Sequence, residues 1–393
     1  MNKLGRTKNY REQNENEEQK EVKKVSPLAI VISILLLIGI IILLIYRYVW
    51  DNGEYVHVVE ATQEVFNQNR YIRYGNGYIK FNSDGAEALA DGKALWNISF
   101  NMKKPIADVC GDFAAFADKG MQTLCITDGQ GGNYSINVPE KIVDISVAAQ
   151  GVTAVWADSL SKDHIYLYDI NGVLLIDVET SIADDGFPIS MDLSEDGKKL
   201  VTSYMKTENE LVSWVTFYNF GSVGQNYAGR VVGSYSFAEK IIPEVKFINN
   251  ERVCAFGEDG CILYRMKEKP SELATQDTTR LSAVCSDSGW VALGEDETDG
   301  TSKITIFDAD GKSKKTIVTG LSYTGMSLSK EELIIYNNSS IIIYDLNGSE
   351  KYRTQIEGGI RNVFPAGENK YTIIGGSEVK LIKLIKDKKA DSN

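Results

Sequence analysis

Residues 188–219 read PISMDLSEDGKKLVTSYMKTENELVSWVTFYN, and they contain the pattern that decides the fold. An alternating apolar segment meets a Gly-bearing turn, a second apolar segment follows, and a third ends in an aromatic residue and Asn219. Apolar and polar residues that alternate between turn signals predict short antiparallel strands. No amphipathic helical pattern interrupts them, which weighs against a parallel sheet built from βαβ units.

The same unit recurs along the chain. Similar pairs of preceding segments occupy residues 142–156, 243–256, 281–293 and 360–374. The third segments read YIKFN, TLCIT, IYLYD, VTFYN, CILYR, ITIFD, IIIYD and LIKLIK, and they end at Asn82, Thr127, Asp169, Asn219, Arg265, Asp308, Asp345 and Lys386. A strand-built repeat of about 43 residues is the period of a β-propeller with four strands in each blade.

Eight third strands predict an all-β domain, a β-propeller of eight blades, over residues 54–387. The last repeat has no room for an outer strand before the tail at 388–393, which we expect to be disordered. Residues 54–59, EYVHVV, precede the first repeat and could supply that strand, which would close the ring without an open edge. A seven-bladed ring with one irregular repeat is the alternative.

A transmembrane helix is predicted before the propeller. Residues 28–46, from Leu28 to Tyr46, contain no charged side chain, and nineteen helical residues span about 29 Å, close to the thickness of the hydrocarbon core. The residues that follow, Tyr46 to Trp50, include no small-residue cleavage site, so we expect the segment to be retained rather than removed as a signal peptide. We therefore predict that residues 27–50 anchor the protein in the lipid bilayer, with interfacial aromatic residues at their end.

The charges beside this segment predict its orientation. Lys20, Lys23 and Lys24 precede it, and Arg47 is the one base that closely follows it. This bias places the polar and disordered residues 1–26 in the cytoplasm and the propeller outside the cell membrane.

Composition and motifs exclude several classes of function. The net charge of -12 repels nucleic-acid backbones, so we expect no nucleic-acid partner. The two histidines, His57 and His164, are distant in sequence and more consistent with positions that are on the surface or satisfied by a partner than with zinc or catalytic sites. Because no catalytic or cofactor motif stands in a supporting context, we predict no catalytic residues, metal or cofactor.

Other candidate residues have structural explanations. Asp-x-Asn/Asp-Gly segments at 169–172, 308–311 and 345–348 suit tight turns better than calcium loops. The acid pairs Asp184-Asp185, Glu258-Asp259 and Glu295 with Glu297 suit solvated loops. We expect free, buried thiols, with Cys254 and Cys261 kept out of register by a four-residue loop at 257–260; the five cysteines are Cys110, Cys125, Cys254, Cys261 and Cys285.

The fourth repeat is the longest and has extra loops at 206–211 and 221–233. Loops project from the faces of a propeller, where partners bind, so exposed aromatic residues such as Tyr227 are candidate contacts. A tolerated insertion without function is the alternative.

The third segments that end in Y-D-x-x-G, at 168–172 and 344–348, resemble those of quinoprotein-like and WD-type propellers. Over residues 28–387 the chain is more narrowly similar to a family of membrane-anchored propellers from Gram-positive bacteria that has no assigned reaction. The resemblance implies the fold and the topology. The chain departs from WD repeats because it lacks their Gly-His and Trp-Asp dipeptides.

The leading functional hypothesis is a membrane-anchored, extracytoplasmic protein-interaction scaffold in the cell envelope, with a protein partner on a face of the propeller. One alternative is a sensory module that binds a glycan or a cell-wall ligand, for which we expect clustered aromatic side chains on one face. The other is an enzyme with a site in the central funnel, for which we expect converging acids with perturbed pKa values.

Overall fold

A computed structural model of the chain describes residues 27–387, except 52–53, 66–67, 160–161, 181–185, 208–209, 279–280 and 288. The predicted tails at 1–26 and 388–393 lie outside the described residues. The chain divides into two units, of which the larger is Tyr55–Asp387.

Helix α1 (Pro27–Asp51) belongs to the smaller unit and includes the apolar segment from Leu28 to Tyr46. Its apolar side chains from Val31 to Leu43 are exposed. Within the residues that the structure describes, no helix has both the length and the apolar character needed to cross a membrane.

The larger unit consists of eight four-stranded antiparallel sheets, which confirms the eight-bladed propeller and excludes the seven-bladed alternative. Blade 1 comprises β2 (Arg70–Tyr74), β3 (Gly77–Phe81), β4 (Gly85–Ala90) and β5 (Lys93–Ser99). Blade 2 comprises β6 (Pro105–Cys110), β7 (Phe113–Asp118), β8 (Thr123–Thr127) and β9 (Asn133–Asn137). Blade 3 comprises β10 (Lys141–Val147), β11 (Thr153–Asp158), β12 (Asp163–Tyr168) and β13 (Leu174–Thr180). Blade 4 comprises β14 (Phe187–Leu193), β15 (Lys199–Lys206), β16 (Val212–Asn219) and β17 (Val231–Ala238).

The remaining blades follow the same order from the inner strand to the outer strand. Blade 5 comprises β18 (Glu244–Asn249), β19 (Arg252–Gly257), β20 (Gly260–Met266) and β21 (Pro270–Asp277). Blade 6 comprises β22 (Leu281–Asp287), β23 (Trp290–Asp296), β24 (Ser302–Asp308) and β25 (Ser313–Thr319). Blade 7 comprises β26 (Gly325–Leu328), β27 (Glu332–Tyr336), β28 (Ser340–Asp345) and β29 (Glu350–Gln355). Blade 8 comprises β30 (Asn362–Pro365), β31 (Lys370–Ile374), β32 (Glu378–Lys386) and, as its outer strand, β1 (Tyr55–Glu64).

The ring is closed by its two chain ends, as predicted from residues 54–59. Strand β1 pairs with β32 from Tyr55 opposite Lys386 to Glu64 opposite Glu378. The N–H of Val65 then donates to the carbonyl of Ser377 at 2.9 Å. The first strand of the domain therefore covers the edge that the last strand would otherwise expose.

One predicted third strand is wrong. The segment YIKF lies in β3, the second strand of blade 1, and the third strand is the Ala-rich β4. Ala88 of β4 stands opposite Trp96 of the neighbouring β5, and both side chains are buried. Small side chains leave room for this indole, so β4 lacks the β-branched pattern by which the other third strands were identified.

The aromatic and polar ends of the third strands have a structural cause. A bulge displaces the pairing with the outer strand at the terminal aromatic residue in five blades, at Tyr168, Tyr218, Tyr264, Phe307 and Tyr344. The next residue can then cap the turn. The Oδ1 atom of Asp169 accepts hydrogen bonds from the N–H groups of Asn171 and Val173, and Gly172 has a φ of 82°. The predicted turns are confirmed, since Asp308 and Asp345 accept bonds in the same way.

The core lies mainly between neighbouring blades. The rings of Trp156 in blade 3 and Tyr204 in blade 4 meet edge to face, with centroids 5.1 Å apart. Phe217 of blade 4 and Tyr264 of blade 5 repeat this contact at 5.1 Å. Such pairs contribute roughly 0.5–1.5 kcal/mol beyond the burial of their area, so they hold the blades at fixed positions around the ring.

The ring has two loop faces because the strands of each blade alternate in direction. Loops that follow first and third strands project from face A, as at residues 250–251 and 169–173. Loops that follow second and fourth strands project from face B, as at residues 258–259 and 100–104. Tyr55 and Lys386, at the two ends of the ring, lie toward face A.

Candidate functional site: the central channel and the loop faces

Side chains of the inner strands connect blades 2 to 5 around the central channel. The Oδ2 atom of Asp108 in β6 accepts a hydrogen bond of 2.8 Å from the N–H of Val147 in β10. Ser146 Oγ, beside that residue, accepts a bond of 3.0 Å from the N–H of Leu193 in β14. Asp192 Oδ2 in turn accepts a bond of 2.6 Å from the N–H of Phe247 in β18. The inner strands β6, β10 and β14 therefore each supply an acceptor to the backbone of the next inner strand.

These inner strands line a cavity of about 320 Å³ that opens toward face A. Its charged or ionisable lining consists of Asp108, Cys110, Asp192, Glu195 and Lys246. Lys246 is the one cation in this lining, and its Nζ atom lies 3.0 Å from Oδ1 of Asp192.

Burial perturbs the titration of these groups. Desolvation raises the pKa of Asp192, although Lys246 lowers it in part, and the attraction of Asp192 raises the pKa of Lys246. Desolvation also raises the pKa of Asp144, on the neighbouring part of β10, to about 6. Burial, assisted by Glu195 and Asp108, raises the pKa of the Cys110 thiol to about 12, so this cysteine stays protonated at neutral pH.

The channel acid Asp192 has a structural role. Both carboxylate oxygens of Asp192 have partners, one in Lys246 and one in the backbone of β18. The residue therefore joins blade 4 to blade 5. Within the described part of the chain, no cluster of three His, Cys, Asp or Glu side chains has the spacing to hold a metal ion.

The cysteines form no disulfide in the part of the chain that the structure describes, although the thiols of Cys254 and Cys261 interact with each other. Cys125, Cys254 and Cys261 are buried, as predicted, whereas Cys110 is only partly buried. Cys254 stands opposite Leu263 rather than Cys261, so the two are out of register as expected. The predicted four-residue loop is wrong, because Gly257 pairs with Gly260 and leaves a two-residue turn. The side chain of Cys285 lies outside the described residues.

The acid pairs and histidines are not brought together. Asp184 and Asp185 lie outside the described residues. In both of the other pairs a lysine binds one acid: Lys240 binds Asp259, and Lys303 binds Glu295 at 3.0 Å.

Both histidines have partners, as predicted. His164 Nδ1 lies 2.8 Å from Asp177 Oδ1, and its ring stacks on Tyr166. His57 bonds to the hydroxyl of Tyr352.

The extra loop of blade 4 forms an ordered projection on face A. Residues 220–230 connect β16 to β17 through two short 3-10 helices, η1 (Gly224–Asn226) and η2 (Ala228–Arg230). Asn219 fixes the base of this loop, because its Nδ2 donates to the carbonyl of Glu268 in blade 5 at 2.9 Å. Its Oδ1 accepts from the N–H of Gly221, also at 2.9 Å. The other connections between third and outer strands contain two to five residues.

Five consecutive exposed residues of this loop, 225–229, form a surface that we call the blade-4 knuckle. Tyr227 lies at its centre and is 37% exposed. The ammonium group of Lys269 in blade 5 lies 4.9 Å from the centre of the Tyr227 ring. The candidate contact predicted from the sequence is therefore an exposed tyrosine that a cation holds in place.

Sequence reasoning missed the channel pair of Asp192 and Lys246. The signal that could have found it is positional, because the two residues occupy equivalent places in consecutive inner strands. Only an alignment of the blades with one another would have shown that acidic and basic residues recur there.

Comparisons with known proteins agree with this architecture. The profile of a protein family described as "Family of unknown function (DUF5711)" matches residues 50–384. No curated protein sequence matches the chain.

Several solved structures share the fold at low sequence identity. Sqt1 of Saccharomyces cerevisiae superposes with a TM-score of 0.54 and 13% identity, over 85% of this chain and 100% of that one. BamB from Moraxella catarrhalis gives 0.53 and 11%, over 84% and 98%. AztD from Citrobacter koseri gives 0.52 and 13%, over 79% and 94%. At such identities the likeness establishes the fold alone.

Proposed function

We propose a scaffold function for this chain, which belongs to the DUF5711 family of unknown function. In this proposal the propeller is anchored to the cell membrane, lies outside the cytoplasm and binds a partner protein on face A. Binding to a membrane-anchored ring confines the partner to the membrane surface and raises its effective concentration there.

The blade-4 knuckle is the observation that carries the proposal. It departs from the loop lengths of the other blades, yet the backbone of η1 and η2 and the bonds of Asn219 keep it ordered. Tyrosines that are held rigidly before binding lose little entropy on association and are enriched among the residues that dominate interfaces. Tyr227 is such a tyrosine, because its side chain is exposed and its ring is held beside the ammonium group of Lys269.

The membrane anchor rests on the sequence of residues 28–46, which lacks any charge over a length sufficient to span the hydrocarbon core. The excess of lysine before this segment favours a cytoplasmic N-terminus. Both features support an extracytoplasmic propeller.

A photoreactive side chain at the knuckle tests the scaffold function. A photo-crosslinking phenylalanine analogue replaces Tyr227 in the full chain, intact cells are irradiated, and the tagged protein is recovered under denaturing conditions. Tyr134 provides a matched control, since it is 40% exposed on the outer strand of blade 2, away from the knuckle.

We expect discrete protein adducts from position 227 and none of the same mass from position 134. Equal adducts from both positions, or none from position 227 in a correctly folded protein, would refute docking at the knuckle.

A further inference from the structure

Four cations surround a cleft on face B, between blades 1 and 2. Arg70 begins β2, Lys103 and Lys104 precede β6, and Lys119 follows β7. Together they line a cavity of about 690 Å³, which we call the basic cleft. The lysines and Arg70 are exposed, although the whole chain has a net charge of -12.

The backbone of the basic cleft is fixed by a buried carboxylate. Asp118 accepts hydrogen bonds from the N–H groups of Lys103 and Lys104, at 3.0 and 2.7 Å. The N–H of Lys119 donates to the carbonyl of Lys104 at 3.0 Å. The loops that carry three of the cations are therefore joined to each other before any ligand binds.

Arg70 is also held in place. One of its terminal nitrogens donates to the carbonyl of Pro105 at 2.7 Å, and its guanidinium lies 5.5 Å from the centre of the Phe81 ring. A guanidinium fixed on an aromatic face loses little freedom when it binds an anion.

No carboxylate lines the cleft, and within the described residues no ion pair joins an acid to any of its four cations. Two acids close to the cleft in sequence bind other groups: Asp118 accepts hydrogen bonds from backbone amides, and Asp84 accepts one from the hydroxyl of Ser83 at 3.1 Å. Asp144 interacts electrostatically with Lys119 but forms no ion pair with it. Lysines elsewhere on the ring form ion pairs, such as Lys80 with Glu87 at 2.6 Å. The concentrated positive charge is thus available to an external anion.

The remaining lining indicates what kind of anion fits. Gln68, Asn82 and Ser83 contribute amide and hydroxyl groups beside the cations, and Pro105 and Ile106 contribute apolar contact. A phosphate group offers several charged oxygens to donors from different directions, and the volume falls within the roughly 300–1,000 Å³ of ligand sites.

We propose that the basic cleft binds a phosphate-bearing ligand. This inference goes beyond the scaffold function, because the cleft and the blade-4 knuckle lie on opposite faces and involve different residues. The phosphate can belong to a soluble molecule or to a lipid headgroup, and the chemistry of recognition is shared.

The test uses the full chain in nanodiscs of zwitterionic phosphatidylcholine and measures the binding of sodium tripolyphosphate by isothermal titration calorimetry. We expect saturable binding that the triple variant K103Q/K104Q/K119Q weakens at least tenfold. The control K93Q/K198Q/K267Q removes the same charge from exposed lysines elsewhere, and we expect it to change the affinity less than twofold. All six positions are exposed, so a thermal melt should show that both variants fold.

Three results would overturn the assignment. They are an absence of binding to the unaltered chain, equal weakening by both triple variants, and binding of a hexaglutamate peptide as tight as that of tripolyphosphate. The last result would assign the cleft to acidic proteins instead.

Nanodiscs that contain phosphatidylglycerol distinguish the sources of phosphate. If they reduce the apparent affinity for tripolyphosphate by competition, the ligand is a lipid headgroup. If the affinity is unchanged, the ligand is soluble. Both results keep the phosphate assignment.

Discussion

Asp192 and Lys246 lie on the inner strands of neighbouring blades, with Oδ1 and Nζ 3.0 Å apart, and the same carboxylate binds the backbone of β18. The pair faces the central channel together with Asp108 and Glu195, so Lys246 compensates several acids at once. At the channel, the ion pair of Lys246 with Asp192 therefore links blade 5 to blade 4.

Replacement of Lys246 by methionine should destabilise the ring in a pH-dependent way. The loss should be roughly 1–2 kcal/mol, below the ~3–5 kcal/mol of a fully buried pair, because the Lys246 side chain is 39% exposed. Without the cation, the already raised pKa of Asp192 rises further, so the folded state favours the protonated acid more strongly. Stability should then fall as pH increases, and urea denaturation should show a larger loss at pH 8 than at pH 5.

The exposed Lys267 provides a control for this variant, and its replacement by methionine should change stability little at either pH. A K246M variant with the same loss at pH 5 and pH 8 would show that Asp192 does not depend on the cation.

Replacement of Asp163 by asparagine should stabilise the protein above pH 6. Burial and the neighbouring Asp158 raise the pKa of Asp163 to about 6, so its folded-state pKa exceeds the unfolded value. The folded state therefore holds this proton more tightly, and the stability gained at low pH is lost as pH rises through about 6. The melting temperature of D163N should exceed that of the unaltered chain at pH 8 and approach it at pH 4. A lower melting temperature at pH 8 would contradict this sign.

Removal of strand β1 should open the ring. A chain that begins at residue 54 keeps the outer strand of blade 8, whereas a chain that begins at residue 65 leaves β32 as an exposed edge. We expect the shorter chain to lose more than about 4 kcal/mol of unfolding free energy and to aggregate. Denaturation and light scattering compare the two chains. Equal stability would mean that β1 is dispensable for closure.

Replacement of Gly224 by alanine should disrupt the blade-4 knuckle without unfolding the ring. An added Cβ would lie 1.6 Å from the carbonyl oxygen of Asn219, so the first turn of the loop must shift. At Gly320 an added Cβ meets nothing within 4 Å, which makes G320A the matched control. Partner adducts from position 227 should fall at least severalfold in G224A and persist in G320A, at similar melting temperatures. Undiminished adducts in G224A would show that partner binding does not depend on the conformation of the knuckle.

The repeat could be predicted from the sequence because the third strand ends in an aromatic residue at a bulge in five blades, and in four of these the next residue is polar and caps a turn. Tyr344 and Asp345 combine both features, and the pattern located seven of the eight third strands. In blade 1 the third strand lacks this pattern, because small residues such as Ala88 stand opposite the buried Trp96 of the next strand. The sequence of one strand alone does not reveal which residue lies opposite it.

The sites were less predictable than the fold. Tyr227 was found because an insertion lengthens its repeat. Arg70 begins a strand, Lys104 and Lys119 lie on two separate loops, and only the ring brings the three to one cleft. The sequence also does not indicate that the carboxylate of Asp118 accepts a hydrogen bond from the loop of Lys104.

The most direct test of the scaffold hypothesis is cross-linking of intact cells with a membrane-impermeant amine reagent, followed by recovery of the tagged full chain under denaturing conditions. Exposed lysines such as Lys93, Lys198 and Lys267 provide reactive sites around the ring. We expect labelling of these lysines in intact cells, together with discrete adducts to a partner protein. Labelling that occurs only after the cells are lysed would place the propeller in the cytoplasm and contradict the extracytoplasmic scaffold.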